Sequence, residues 1–84
     1  MLHVTYAELV KDYKVYVEFN DGQSGIIYLK DELEKDHRLI IQELLDMETF
    51  KTVKLKFHTL CWGNGVDFAP EYLHEQMIMQ KKTA

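Results

Sequence analysis

The sequence has few residues of the kinds that cross-link or interrupt a chain: one cysteine, one proline and four glycines. A lone Cys61 excludes an internal disulfide, and no Cys or His pair has the spacing of a structural zinc site. No apolar run approaches the roughly 20 residues that span a bilayer, and the N-terminus lacks the basic leader and apolar core of a signal peptide. These absences predict a cytoplasmic protein that does not enter membranes.

Positive charge is also scarce, since the sequence has 10 lysines and arginines and 14 aspartates and glutamates, which gives a net charge of -4. Such a chain repels phosphate backbones, so direct nucleic-acid binding is not favoured. Leu, Ile, Val and Phe occupy 25 of the 84 positions, which is enough for a folded core. Without repeats or linkers, we expect a single domain over residues 1–84, whose small core predicts a homodimer.

Apolar and polar residues alternate in three early segments, which we interpret as strands: residues 4–10, 14–19 and 24–29. Between the last two, Asp21-Gly22 favours a tight hairpin, because a primed turn needs positive φ. The first third of the sequence therefore predicts a three-stranded antiparallel meander.

A helix is predicted over residues 38–46, where Ile40, Leu44 and Met47 recur at helical spacing and would pack on the sheet. Asp31 is expected to cap a shorter helical turn before it.

Strict alternation returns at residues 52–57, which predicts a fourth strand with Val53, Leu55 and Phe57 facing inward. A second hairpin is expected from residues 60–62 and 66–68, and a closing helix from Pro70 to about Gln80. The predicted fold class is α+β: a small antiparallel sheet of about five strands (three-strand meander, helix, hairpin) with helices packed on it.

Two segments read F-x-D-G and W-x-N-G-x-D-x-x-P-E-x-L, with the signature residues Phe19, Asp21, Gly22, Trp62, Asn64, Gly65, Asp67, Pro70, Glu71 and Leu73. Together they resemble the bacterial domain-of-unknown-function family 2442, over about residues 4–74. The resemblance implies a small α+β domain without established enzymatic activity, whose genes often accompany that of a small toxin-like protein. Some relatives carry an added helix-turn-helix domain for DNA, which has no counterpart in this sequence.

The richest polar and aromatic cluster comprises Trp62, Asn64, Asp67 and Glu71. These residues could form a recognition surface for a partner at one end of the sheet. Alternatively, Trp62 is core, Asn64 belongs to a turn, and Asp67 supports the start of the last helix.

Acidic residues cluster before the predicted central helix, at Asp31, Glu32 and Glu34. Such a patch suits a basic protein partner, because opposite charges speed association. Toxins that act on RNA are generally basic, which fits an antitoxin-like role.

Catalytic patterns are not found in the sequence. The histidines lack H-E-x-x-H spacing, serine lacks a nucleophile elbow, and Cys61 is expected to be a buried thiol. We therefore expect no enzyme activity, no metal and no cofactor.

The most favoured function is a non-catalytic protein-interaction module, as the antitoxin-like partner of a small basic toxin-like protein. The alternative is a nucleic-acid-binding regulator that uses a stripe of Lys51, Lys54 and Lys56. For the homodimer, the expected contact is an edge strand or the last helix, where Met77, Ile78 and Met79 follow one another.

Overall fold

The computed structural model, which describes residues 1–83, begins with a three-stranded antiparallel meander. Its strands are β1 (Val4–Lys11), β2 (Lys14–Phe19) and β3 (Ser24–Tyr28), in the sheet order β1-β2-β3. Val15 and Val17 of β2 are fully buried, because period-two alternation turns both toward the core. The meander is confirmed, and each strand ends within one residue of its predicted bounds.

Four short helical segments follow the meander: α1 (Lys30–Lys35), α2 (Leu39–Gln42), a 3₁₀ turn (Glu43–Leu45) and α3 (Met47–Phe50). The prediction of a helix over residues 38–46 is confirmed in part, because residues 39–45 are helical but end in the 3₁₀ turn. Asp46 adopts an extended conformation and starts a further helix that was not predicted. Its carbonyl accepts hydrogen bonds from the amides of Thr49 and Phe50, at 3.0 and 2.9 Å. Its carboxylate accepts the Thr49 hydroxyl at 3.2 Å. These local bonds compete with helix continuation.

The break changes which apolar side chains meet the sheet. Ile40 is 47% exposed and Ile41 is buried in its place, so the prediction for Ile40 is wrong. Leu44 is fully buried as predicted. Asp31 lies in the first turn of α1 and is not its cap, because that helix begins one residue earlier, after Leu29.

A two-stranded hairpin, β4 (Lys54–Lys56) and β5 (Thr59–Cys61), completes the five strands of the α+β fold. Its turn is Phe57 and His58, which have φ values of 54° and 65°. The predicted inward orientation of Leu55 and Phe57 is wrong, since their side chains are 41% and 78% exposed. Because the chain reverses at Phe57, β4 becomes the outer strand and Leu60 of β5 takes the buried position. Val53 packs against the core as predicted.

The second predicted hairpin is present only as a turn. The Trp62 amide donates to the Val66 carbonyl at 2.8 Å, and one isolated bridge joins Cys61 to Asp67. Residues 66–68 therefore do not form a strand.

The closing helix, α4 (Pro70–Thr83), packs against β3 and ends three residues beyond its predicted end. Met77 is fully buried, Ile78 packs against the core, and Met79 is 51% exposed. The expected apolar surface of Met77, Ile78 and Met79 is therefore absent, because two of these three side chains face the core.

Candidate functional site

Trp62 belongs to the core and not to a recognition surface. Its side chain is 2% exposed, and its indole Nε1 donates to the Phe50 carbonyl at 3.1 Å. Its ring lies between those of Phe50 and Phe68, at centroid distances of 5.7 and 5.5 Å. This burial favours the alternative in which Trp62 is core.

Asn64 holds the turn after Trp62 against the central helices. Its Nδ2 donates to the Ile40 carbonyl at 3.1 Å and to a Glu43 carboxylate oxygen at 2.9 Å, and its Oδ1 accepts the Val66 amide at 3.2 Å. The next residue, Gly65, has a φ of 95°, where a Cβ would be strained. This part of the signature therefore builds a turn and links it to α2.

The remaining residues of the second signature segment prepare and anchor α4. Pro70 is the first residue of the helix, where its missing amide has no cost, and Leu73 one turn later is fully buried. The Glu71 carboxylate is exposed in the first turn, where the helix dipole favours negative charge. Asp67 is exposed beside the Cys61 bridge.

Side chains of the F-x-D-G segment connect the β2–β3 turn to α4. Phe19 is buried and its ring meets the His74 ring at 4.8 Å, while the Asp21 carboxylate lies 2.8 Å from His74 Nε2. The Gln23 amide, and then His74, lower the pKa of Asp21 by binding its charged form. The Gly22 amide donates to the Phe19 carbonyl at 3.1 Å, and Gly22 has a φ of 88°. The turn is therefore a three-residue loop with glycine in the left-handed position, and not the predicted primed turn. Sequence analysis missed the Asp21–His74 pair.

Cys61 has the surroundings of an inert thiol. It is buried, its Sγ donates to the Lys56 carbonyl at 3.5 Å, and burial, followed by the negative charge of Asp67, raises its pKa. A raised pKa keeps the thiol protonated and weakens it as a nucleophile. Within residues 1–83, no group of three or more His, Cys, Asp or Glu side chains is placed to hold a metal ion.

The predicted lysine stripe is divided between two places. Lys51 follows α3 and pairs with Glu48 at 3.8 Å. Lys54 and Lys56 of β4 lie beside the exposed Phe57 on a depression of about 240 Å³. Lys56 Nζ stands 5.2 Å from the Phe57 ring centroid. Asp67 lines the same depression, so its charge is mixed.

Two of the three predicted acidic residues line a groove between α1 and α4. This groove, called here the acidic groove, has a volume of about 340 Å³ and is lined by Tyr28, Asp31, Glu32, Lys35, Gln76 and Gln80. Lys35 Nζ pairs with Glu32 at 3.8 Å, and Asp31 is exposed. Glu34 is exposed outside the groove lining.

Carboxylates of α4 add to the negative potential at the acidic groove. Tyr72 lies one turn before Gln76, and its pKa is raised to about 12, first by burial and then by the charge and hydrogen bond of Glu32. Asp36 and Glu75 raise it further. Tyr72 therefore lies within reach of negative charge from both α1 and α4.

The fold and the signature contacts define a small α+β domain in which side-chain hydrogen bonds connect a meander, a turn and a closing helix. A family model described as "Protein of unknown function (DUF2442)" matches residues 4–78, and the chain belongs to this family. Comparison with curated proteins and with solved structures finds no significant match. None of the helices within residues 1–83 is long and apolar enough to cross a membrane.

Proposed function

We propose that this protein is a non-catalytic interaction module that binds a basic partner protein in the acidic groove. The observation that carries the proposal is the pair of carboxylates, Asp31 and Glu32 of α1, in the lining of a groove between two helices. Gln76 adds an amide group that can bind a partner's backbone. A groove of this kind suits lysine or arginine side chains on a partner segment.

The partner class that fits best is a small basic toxin-like protein, which makes the role antitoxin-like. Complementary electrostatic fields on the two proteins would speed their association. Fast association suits an antitoxin, because it must bind its toxin before the toxin acts. A reducing, cytoplasmic location is part of the proposal, and the free, buried Cys61 is compatible with it.

Capture of the partner from the native cells tests the proposal. The tagged full chain should retain a basic protein, and Asp31→Lys should reduce the retained amount at least about tenfold, because it places a like charge at the groove. Glu48→Lys is the matched control, since its side chain is 84% exposed and lies on α3. Equal retention by Asp31→Lys and by the wild type would contradict the use of the acidic groove.

The antitoxin-like role has its own test. Expression of the captured partner alone should stop growth, and co-expression of the wild-type chain should restore it. Asp31→Lys should restore growth less well than Glu48→Lys. A partner that is harmless when expressed alone would contradict the antitoxin-like role while leaving the interaction itself intact.

The second candidate is a nucleic-acid-binding regulator acting through Lys54 and Lys56. Phe57 favours it, because an exposed ring beside two lysines can stack on a base while the ammonium groups bind phosphate. In the same capture experiment this function predicts nucleic acid on the bait, lost from a Lys54→Glu, Lys56→Glu variant. The first proposal predicts that this variant retains the protein partner.

A further inference from the structure

The outward face of the meander carries large side chains that the fold leaves half exposed. Val15, Val17 and Phe19 of β2 point into the core, so Lys14, Tyr16 and Glu18 point the other way. On the neighbouring strands, Tyr6, Val10 and Ile26 are 44%, 46% and 48% exposed. α4 packs on the opposite face, where Met77 approaches Gly25.

The strand register arranges this face in rows. Tyr16 pairs with Glu8 on one side and Ile26 on the other, Glu18 pairs with Tyr6 and Ser24, and Lys14 pairs with Lys11 and Tyr28. The middle row therefore holds Tyr16 and Ile26 beside Glu8. Glu18 lies with Tyr6 and Ser24 in the row at one end, and Lys11 and Lys14 lie in the row at the other end.

The carboxylate end is held in a fixed geometry by the tyrosines. Tyr6 and Tyr16 donate their hydroxyl hydrogens to Glu8 and Glu18, at 2.9 and 2.7 Å. Their rings meet edge to face at 6.1 Å. The side chains are thus ordered before any partner binds, which lowers the entropic cost of association.

The equal numbers of carboxylates and lysines decide which partner fits. A uniformly basic or acidic surface would match one end of the face and oppose the other. A second copy of the same face matches both ends, provided that its strands run in the reverse direction. We infer that the outward face of the meander is the interface of a homodimer, in which two sheets pack face to face.

Charge also selects the two-fold axis. A two-fold axis parallel to the strands would place Lys14 of one copy near Lys14 of the other. It would also place the carboxylates of one copy near the same carboxylates of the other. An axis in the interface that crosses the strands places the lysine end of each copy over the carboxylate end of its partner. Tyr16 and Ile26 then meet their own counterparts near the axis, in an isologous contact. Glu8 belongs to the same row, and its carboxylate accepts the Tyr6 hydroxyl of its own chain. The two sheets would lie about 10 Å apart.

The proposed dimer face and the acidic groove share Tyr28, whereas the groove's carboxylates lie on α1 and not on the meander. The inference therefore extends the proposed function without depending on it. Its interface is small, because a three-stranded face covers less than the roughly 800 Å² per partner of a standard complex. We therefore expect a reversible dimer with a dissociation constant on the order of 10–100 µM.

Charge-reversal variants test the inference by sedimentation equilibrium. The wild type should dimerise, whereas Lys14→Glu and Glu18→Lys should each weaken dimerisation at least about tenfold, because each places like charges at both ends. An equimolar mixture of the two variants should restore the dimer, since the glutamates of one chain then face the lysines of the other. Lys82→Glu and Glu75→Lys, exposed on α4, are the controls and should dimerise like the wild type.

Circular dichroism should show every variant folded, since the substituted side chains lie at the surface. A wild type that stays monomeric at a concentration about ten times the expected dissociation constant overturns the inference. The inference is also overturned if the wild type dimerises but the equimolar mixture of the two variants stays monomeric.

Discussion

Trp62 combines a large apolar ring with one hydrogen-bond donor, and both parts of the side chain make contacts in the fold. The ring fills space between Phe50 and Phe68, while its Nε1 satisfies the Phe50 carbonyl at the end of α3. An indole in such a position contributes to stability through packing and through a buried hydrogen bond.

Trp62→Ala should therefore lower the free energy of unfolding by about 3–5 kcal/mol, which is a large part of the stability of a domain of this size. Chemical denaturation measures the loss. Trp62→Phe is the matched comparison, because it keeps a ring but leaves the Phe50 carbonyl with the Val53 amide as donor, and it should cost less than the alanine variant. A Trp62→Ala variant with wild-type stability would show that the ring is not part of the core.

Asp36 joins the end of α1 to the start of α2 through Arg38. The Arg38 guanidinium, and then the Arg38 backbone amide, lower the pKa of Asp36 to about 2 by binding the carboxylate. An unfolded aspartate has a pKa of about 3.9. The contact therefore stabilises the fold above about pH 4, and this stabilisation is lost as the pH falls toward 2.

Asp36→Asn should flatten the dependence of unfolding free energy on pH between about pH 4 and 2, because the variant has no carboxylate to protonate there. Denaturant titrations at several pH values measure the slope. A smaller slope should remain, since the pKa of Asp21 is also lowered. Asp31→Asn is the control on the same helix, and parallel curves for the wild type and Asp36→Asn would contradict the role of this contact.

The β4–β5 hairpin carries a conformational cost at its turn. Phe57 has a φ of 54°, a region that bulky side chains rarely occupy, and its ring is 78% exposed. Asparagine adopts this conformation readily and is common in two-residue turns.

Phe57→Asn should raise the free energy of unfolding by about 1 kcal/mol, because the strain is relieved and little buried surface is lost. Thermal and chemical denaturation test this outcome. Leu55→Asn makes the same kind of polar change at an exposed strand position and should not stabilise the protein. A destabilised Phe57→Asn variant would show that the ring contributes packing that outweighs the strain.

At the level of elements, the sequence predicted what local periodicity determines and missed what distant contacts determine. The meander followed from alternation and from Asp21-Gly22, and α4 from Pro70 and its apolar spacing. The helix break at Asp46 depends on bonds that a hydrophobic pattern does not show. The hairpin turn was placed at Asn64-Gly65 because that pair favours tight turns, whereas Phe57-His58 carries no such preference.

The candidate site was harder to predict than the fold. The acidic residues of α1 were identified by composition, but their meeting with α4 required tertiary structure, because Gln76 and Glu75 are far away in sequence. In the same way, Asp21 and His74 are 53 residues apart and have no local pattern in common. The most distinctive sequence motif proved to be a set of structural contacts.

At the scale of the whole molecule, the signature residues connect segments that are distant in sequence. Asn64 is the clearest case, because its side chain makes three hydrogen bonds, two of them to the helical region before it. The central claim is that such residues are required for the fold.

The free energy of unfolding of Asn64→Ala tests this claim most directly. The account predicts a loss of about 1–3 kcal/mol, because the Ile40 carbonyl and the Val66 amide lose their partner. Glu71→Ala, an exposed residue of the same motif, should change stability by less than about 0.5 kcal/mol. An Asn64→Ala variant as stable as the wild type would contradict the account and would make Asn64 a candidate binding residue.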